Sequence, residues 1–499
     1  MDMQFGKTIL SCLEPAVREV QNSEQTQEIK LSDSLPDIGQ VLAAWGQPIL
    51  RSKEWRRDSI SCAAGMMVWV LYLPEDGSAE RCLEGWIPFQ MKWDLPEDTA
   101  EGNLRIRLLC RFVDARSVSP RKILVRAGLG AMAEAYVPQN AALYKPESVP
   151  EDVQLLQQQY PVRLPVEAGE KTFVMEETLT LPVSAPKIDK VLYQTLSPKV
   201  TDQKVLADKV LFRGNVNLHL LYRSQEGQLH TWDFPMPFSQ YAQLQLDHSA
   251  DALADTVLNT TSLELDAQED GSVHCKAGIV GQYLTTDRML LDVVSDAYSL
   301  GRDLQLQTTL LELPTVLENR TENIFAEQTL PAQANLAADI QVLPDFPRQR
   351  SVDRGVEMEI PGTVQVLYYG EDGVLRSATG RFESQQTVPA DENSRITAIP
   401  QLPEQLQTVL GSGNIIARSE LPINLLTTSR EGIPMVTGLG MGDARQPDAN
   451  RPSLILQRSG EGGLWEMAKR SGSTVQAIQE ANRLQGEPLP GQMLLIPVL

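Results

Sequence analysis

At 499 residues the chain is too long for one ordinary domain and predicts three or four. A net charge of −21 excludes broad attraction to nucleic-acid phosphates or anionic lipid, both of which need clustered Lys and Arg. Five scattered cysteines without a CxxC pair argue against a zinc site or a disulfide framework and for reduced thiols in a cytosolic compartment.

The opening MDMQFGKTIL lacks a basic region followed by a long apolar run. No stretch approaches the ~20 apolar residues of a membrane span, so membrane insertion is not expected. A first β unit is predicted over residues 25–142. Ile29 and Leu31 share one face of a short strand; Pro36 interrupts, and Ile38 and Leu42 follow. Met66 to Tyr72 alternates into the turn Glu75-Asp76-Gly77, a strand entering a hairpin. Trp86-Ile87-Pro88-Phe89 is its expected return strand, with Trp69 and Trp86 as packing residues. Arg105 to Phe112 and Lys122 to Leu129 complete the unit.

Residues 143–167 hold Pro146, Pro150, Pro161 and Pro165 and read as a linker, with one helical turn near Val153 to Leu155. The second unit, 168–305, repeats the plan. Leu179 and Leu181 match Ile29 and Leu31; Pro186, Ile188 and Leu192 match Pro36, Ile38 and Leu42. Gly214 to Tyr222 with Gln225-Glu226-Gly227 is the hairpin strand again. Trp232-Asp233-Phe234-Pro235 takes the place of Trp86-Ile87-Pro88, and Ser272 to Ile279 that of the closing strand. All four histidines lie in this unit. His219 and His274 stand where the first copy has Trp69 and Leu124, so the fold does not need imidazole there. No metal set, GxSxG elbow or nucleophile constellation is present, and neither a cofactor nor an enzyme activity is expected.

The third unit, 322–440, keeps Leu336 and Ile340 at the four-residue spacing, then Thr363 to Tyr368 with Glu371-Asp372-Gly373. Arg381-Phe382 replaces the Trp segment, and Asn414 to Ser419 matches the closing strand. Tyr72, Tyr222 and Tyr368 thus recur about 150 residues apart, the sign of a repeated domain. Each unit predicts an antiparallel sandwich or barrel, with free edge strands as a route to self-association. Residues 437–453, rich in Gly, Pro, Asp and Asn, read as a tether; Gly438 to Gly442 lacks the Lys-Ser/Thr of a phosphate loop.

The last module, 453–498, predicts strand, helix, helix, strand. Gly472 ends the first helix and Thr474 caps the second. Four basic residues balance four glutamates, so the acidity resides in the preceding body. Trp465, Ile478 and Leu495 are its expected core.

Residues 464–497, LWEMAKRSGSTVQAIQEANRL and PGQMLLIP, resemble a LysM domain. That family binds N-acetylglucosamine polymers through the loop after the first strand and the loop before the last. Here the usual Gly-Asp-Thr loop is Gly460-Glu461-Gly462-Gly463. The resemblance makes Gly463, Asn482, Arg483 and Gln492 the contact candidates for a partner or a glycan. The β units followed by this module resemble the SipL-like family of spore-morphogenesis proteins, built from SPOCS domains and a LysM domain. That resemblance implies a scaffold in the mother-cell cytosol, recruited to the forespore surface and coat. It also implies binding of a SpoIVA-like coat ATPase through the LysM module. The other reading is a cell-wall or cortex protein that binds peptidoglycan.

Overall fold

The computed structural model describes residues 3–268, 271–403, 405–445, 451–460 and 462–499. The fold is mainly β. The first six strands are β1 (Phe5–Lys30), β2 (Ile38–Trp55), β3 (Ser59–Pro74), β4 (Arg81–Asp94), β5 (Asn103–Ser119) and β6 (Lys122–Pro146). They pair as two sheets, β1-β6-β5 and β2-β3-β4. Both sheets turn apolar faces to one core, with Ile60, Val68, Ile106, Val125 and Ala131 among its buried members.

Next come β7 (Val153–Thr180), β8 (Ile188–Leu206), β9 (Lys209–Ser224), β10 (Leu229–Gln243), β11 (Leu253–Ala267) and β12 (Ser272–Ser299). Their sheets are β11-β12-β7 and β10-β9-β8, the same pairing. Ten further strands follow: β13 (Arg302–Glu312), β14 (Thr315–Pro331), β15 (Ala334–Pro344), β16 (Arg348–Val352), β17 (Gly355–Gly370), β18 (Leu375–Pro389), β19 (Ser394–Pro400), β20 (Leu406–Gly411), β21 (Asn414–Ser429) and β22 (Gly432–Ala444). Here β21 takes the middle place between β14 and β19, β17 lies between β15 and β18, and β13 pairs β22. The sheets are small and open; among the described residues none closes into a barrel, which corrects the barrel alternative.

The three hairpin strands agree in detail. Gly77, Gly227 and Gly373 all have φ between +73° and +84°, the left-handed turn that a side chain resists. The Tyr72 hydroxyl donates to the Pro36 carbonyl at 3.1 Å, and Tyr222 to Pro186 at 3.2 Å. The strand before each is bulged at matching places: Ile38/Gln40 and Val41/Ala43, Ile188/Lys190 and Val191/Tyr193, Ala334/Leu336 and Ala337/Asp339. The bulges and the return-strand register each correct one expected match. Ala334, not Leu336, stands with Ile38 and Ile188. On the return strand Trp86 faces Met67 whereas Trp232 faces Leu220, so the two tryptophans are not equivalent.

The expected linker at 143–167 is mostly strand. It forms the end of β6 and the first half of β7, and the expected helical turn at Val153 is extended. Pro161 and Pro165 are tolerated because β7 lies at a sheet edge, and Pro165 adjoins a bulge. The expected tether likewise begins inside β22; residues 446–450 of it lie outside the described residues.

The outer halves of the β1–β6 and β7–β12 pairs run on past β5 and β11, and with the separate β13–β22 pair they make three two-stranded ribbons. These bury Cys12, Leu164, Val293, Leu311 and Met435 together, forming a stalk. At the other end the sheets form a crown, where all three sets of strands share one cluster containing Trp45, Tyr193 and Leu367. There His219 bridges Asp233 at 2.8 Å and Asp339 at 3.1 Å. Burial lowers its pKa, but the two carboxylates outweigh that and raise it to about 10. Because the folded value lies above the unfolded one, this stabilisation is complete below a pH of about 6.5. It fades as pH rises through about 10. The urea midpoint of the parent should therefore exceed that of His219→Gln near neutrality, and the gap should close towards pH 10.5 or so. A gap independent of pH would refute the ion pair.

Candidate docking surface on the C-terminal module

The last elements are β23 (Leu454–Arg458), α1 (Gly463–Ser471), α2 (Val475–Asn482) and β24 (Met493–Pro497). Antiparallel β23 and β24 pair only with each other among the described residues. Gly472 ends α1 in the left-handed conformation, and the Thr474 hydroxyl accepts from the Ala477 N–H at 3.0 Å. Leu464, Ala468, Ile478, Leu494 and Ile496 are fully buried and form the core.

Of the residues expected in that core, Ile478 is buried within it and Trp465 packs against it half-buried, whereas Leu495 points away. Leu495 is 45% exposed, because in a strand alternate residues face opposite ways and its neighbours Leu494 and Ile496 point inward. Trp465 is half-buried at the boundary with the stalk. Its ring meets Tyr298 edge-on at 4.8 Å, and its indole N–H donates to Asp296 at 2.8 Å. The Lys469 ammonium binds the same carboxylate at 2.6 Å, and the Tyr298 hydroxyl donates to the Ser473 carbonyl at 2.8 Å. Burial opposes the ionisation of Asp296, but Lys469 and the indole N–H hold it below the usual carboxylate range. No local signal in the sequence marks Asp296 or Tyr298, since they lie in β12, far from the module in the chain. Asp296→Ala should weaken this docking by about 2 kcal/mol, the usual scale for hydrogen bonds to a charged group. Amide exchange across α1 would quicken while the crown stays protected; unchanged exchange in α1 would rule the latch out.

The four contact candidates have different local settings. Gly463 has φ +64°, and the Glu487 carboxylate lies 3.0 Å from where a Cβ would stand. That carboxylate accepts from the Leu464 N–H at 3.0 Å, capping the start of α1. Asn482 holds β24: its amide donates to the Leu495 carbonyl at 2.6 Å and accepts from the Leu495 N–H at 2.8 Å. Arg483 takes the left-handed conformation that ends α2, and its exposed guanidinium meets no carboxylate among the described residues. Gln492 accepts from the Leu489 N–H at 3.0 Å, inside its own loop. The Ser459 hydroxyl donates to the Leu489 carbonyl at 2.6 Å and accepts from the Gln492 N–H at 3.1 Å. The loop after β23 and the loop before β24 are thus fastened to each other. Glu461, in the first of these loops, lies outside the described residues.

The outer face of the β23–β24 sheet is apolar and open. Leu454 and Leu456 on β23 are 54% and 63% exposed, and Met493 and Leu495 on β24 are comparably bare. Leu456 and Leu495 sit opposite each other in the ladder. Contiguous exposed apolar patches are one physical signature of interaction surfaces.

Among the described residues no group of three or more His, Cys, Asp or Glu is placed to hold a metal ion, and no helix is long and apolar enough to cross a membrane. Residues 187–265 match the family model described as SipL, SPOCS domain. The match spans β8, β9, β10 and most of β11. Neither a curated protein nor a solved structure matches the chain.

Proposed function

From the SPOCS domain at residues 187–265, we propose that this chain is a non-enzymatic scaffold of spore-coat assembly. In this reading the crown consists of three SPOCS-type β domains, and the C-terminal module is a LysM-type fold turned to protein binding. It works in the mother-cell cytosol and is recruited to the forespore surface. Its partner is a SpoIVA-like coat ATPase, docked on the leucine face of β23 and β24.

The observation that carries the reading is the pairing of that bare face with the fastened loops. A glycan site of the LysM kind needs an open groove between the two loops, and here Ser459 and Glu487 span it. The leucine face offers what a protein partner buries: apolar area at a patch centre with charge kept to the rim. The test is capture of the SpoIVA-like ATPase by the full chain and by a Leu456→Asp/Leu495→Asp variant, beside sedimentation with insoluble peptidoglycan. Capture by the parent, loss in the variant and no co-sedimentation support the proposal. Retention on peptidoglycan without capture of the ATPase would replace it with the cell-wall reading.

A further inference from the structure

Where the stalk meets the crown, each of the three long edge strands carries one bulge. The extra residues are Ala16 in β1, Val166 in β7 and Leu317 in β14. A bulge kinks its strand and sharpens its twist. Three kinks around one axis hold the strands apart, and the space between them is a cavity of about 370 Å³. Small-molecule sites occupy roughly 300–1,000 Å³.

Its lining has two characters. Val17, Pro165 and Leu284 are buried and make an apolar floor. Arginines stand around them. Arg18 is already held by Glu134 at 3.1 Å, and Arg430 by Glu14. Arg163 donates only to the Asp251 carbonyl, and Arg395 meets no acceptor among the described residues. Of the acids, Asp255 is bound to Arg105 and Glu318 to Arg320, which leaves Glu19 as the one uncommitted carboxylate. Two guanidinium groups thus line the apolar floor with no carboxylate partner among the described residues.

We propose that this neck cavity binds an amphiphilic organic anion, a carboxylate head on an aliphatic body. The head meets Arg163 and Arg395, whose planar forks match a carboxylate, and the body lies against the floor. All three sets of strands line the space, so a bound ligand clamps crown to stalk and raises the stability of the whole chain.

The test uses the full chain and three probes: octanoate, octanol and inorganic phosphate. Octanoate should bind saturably by calorimetry and raise the melting temperature, with octanol and phosphate at least tenfold weaker. Arg395→Glu, at an exposed side chain without partners among the described residues, should fold normally and weaken octanoate at least tenfold, whereas Arg395→Lys should retain most of the binding. No saturable octanoate binding, equal binding of octanol or phosphate, or undiminished binding by Arg395→Glu would each overturn the proposal.

Discussion

Replacing Arg105 with methionine should lower the stability of the folded chain by about 3 kcal/mol, read as a fall in the urea midpoint. Arg105 is 2% exposed. It reaches from β5 to Asp255 of β11, with Glu134 of β6 at 3.7 Å. Burial disfavours its charge, but these two carboxylates outweigh that and hold it ionised. Removing one member of a buried charged set costs about 3–5 kcal/mol, because what remains is an uncompensated charge. The low end applies here, since Arg18 still holds Glu134. Adding Asp255→Asn should restore part of the loss by removing the stranded carboxylate. A double variant no better than the single one would show that the cost lies in packing instead.

Tyr193→Ala should cost about 4 kcal/mol, the scale for truncating a fully buried aromatic. Tyr193 in β8 is 1% exposed. It stacks on Trp45 at 4.6 Å and meets Trp69 edge-on at 5.6 Å, so it bonds the second set of strands to the first. Its hydroxyl accepts from the Gln341 amide at 3.1 Å, which reaches the third set. Tyr193→Phe keeps the stacking and loses only the hydroxyl bonds, so about 1 kcal/mol is expected. The two variants separate ring from hydroxyl: similar losses would mean that the polar bridge, not the aromatic cluster, holds the crown.

Most of what the sequence made legible was local. The alternating strand ending at Tyr72, Tyr222 and Tyr368 could be read because a strand and its turn glycine lie within ten or so residues. The two helices of the last module could be read for the same reason, with Gly472 and Thr474 marking their ends. The stalk was hidden. Its ribbons pair Phe5 with Pro146 and Val153 with Ser299, and no window of sequence contains both partners. Prolines such as Pro161 and Pro165 read as linker signals, although an edge strand accepts them. Tryptophan misled where Trp86 and Trp232 were matched by type, since register follows the ladder and not the residue. The candidate site divided in the same way. The leucines of β23 and β24 were visible as strand residues, but which alternate set faced outward was decided by the helices packed beneath. Asp296 could not have been found from the module at all.

The stalk also fixes the order in which the chain can be finished as it leaves the ribosome. Its first ribbon is complete once residue 146 has emerged, but its last ribbon pairs Arg302 with Ala444. From residue 146 one ribbon, and from residue 299 two, must wait with a bare flank until residue 444 emerges, and such unpaired apolar surface invites aggregation. Translation speed and chaperone occupancy between residues 146 and 444 should therefore bear on yield.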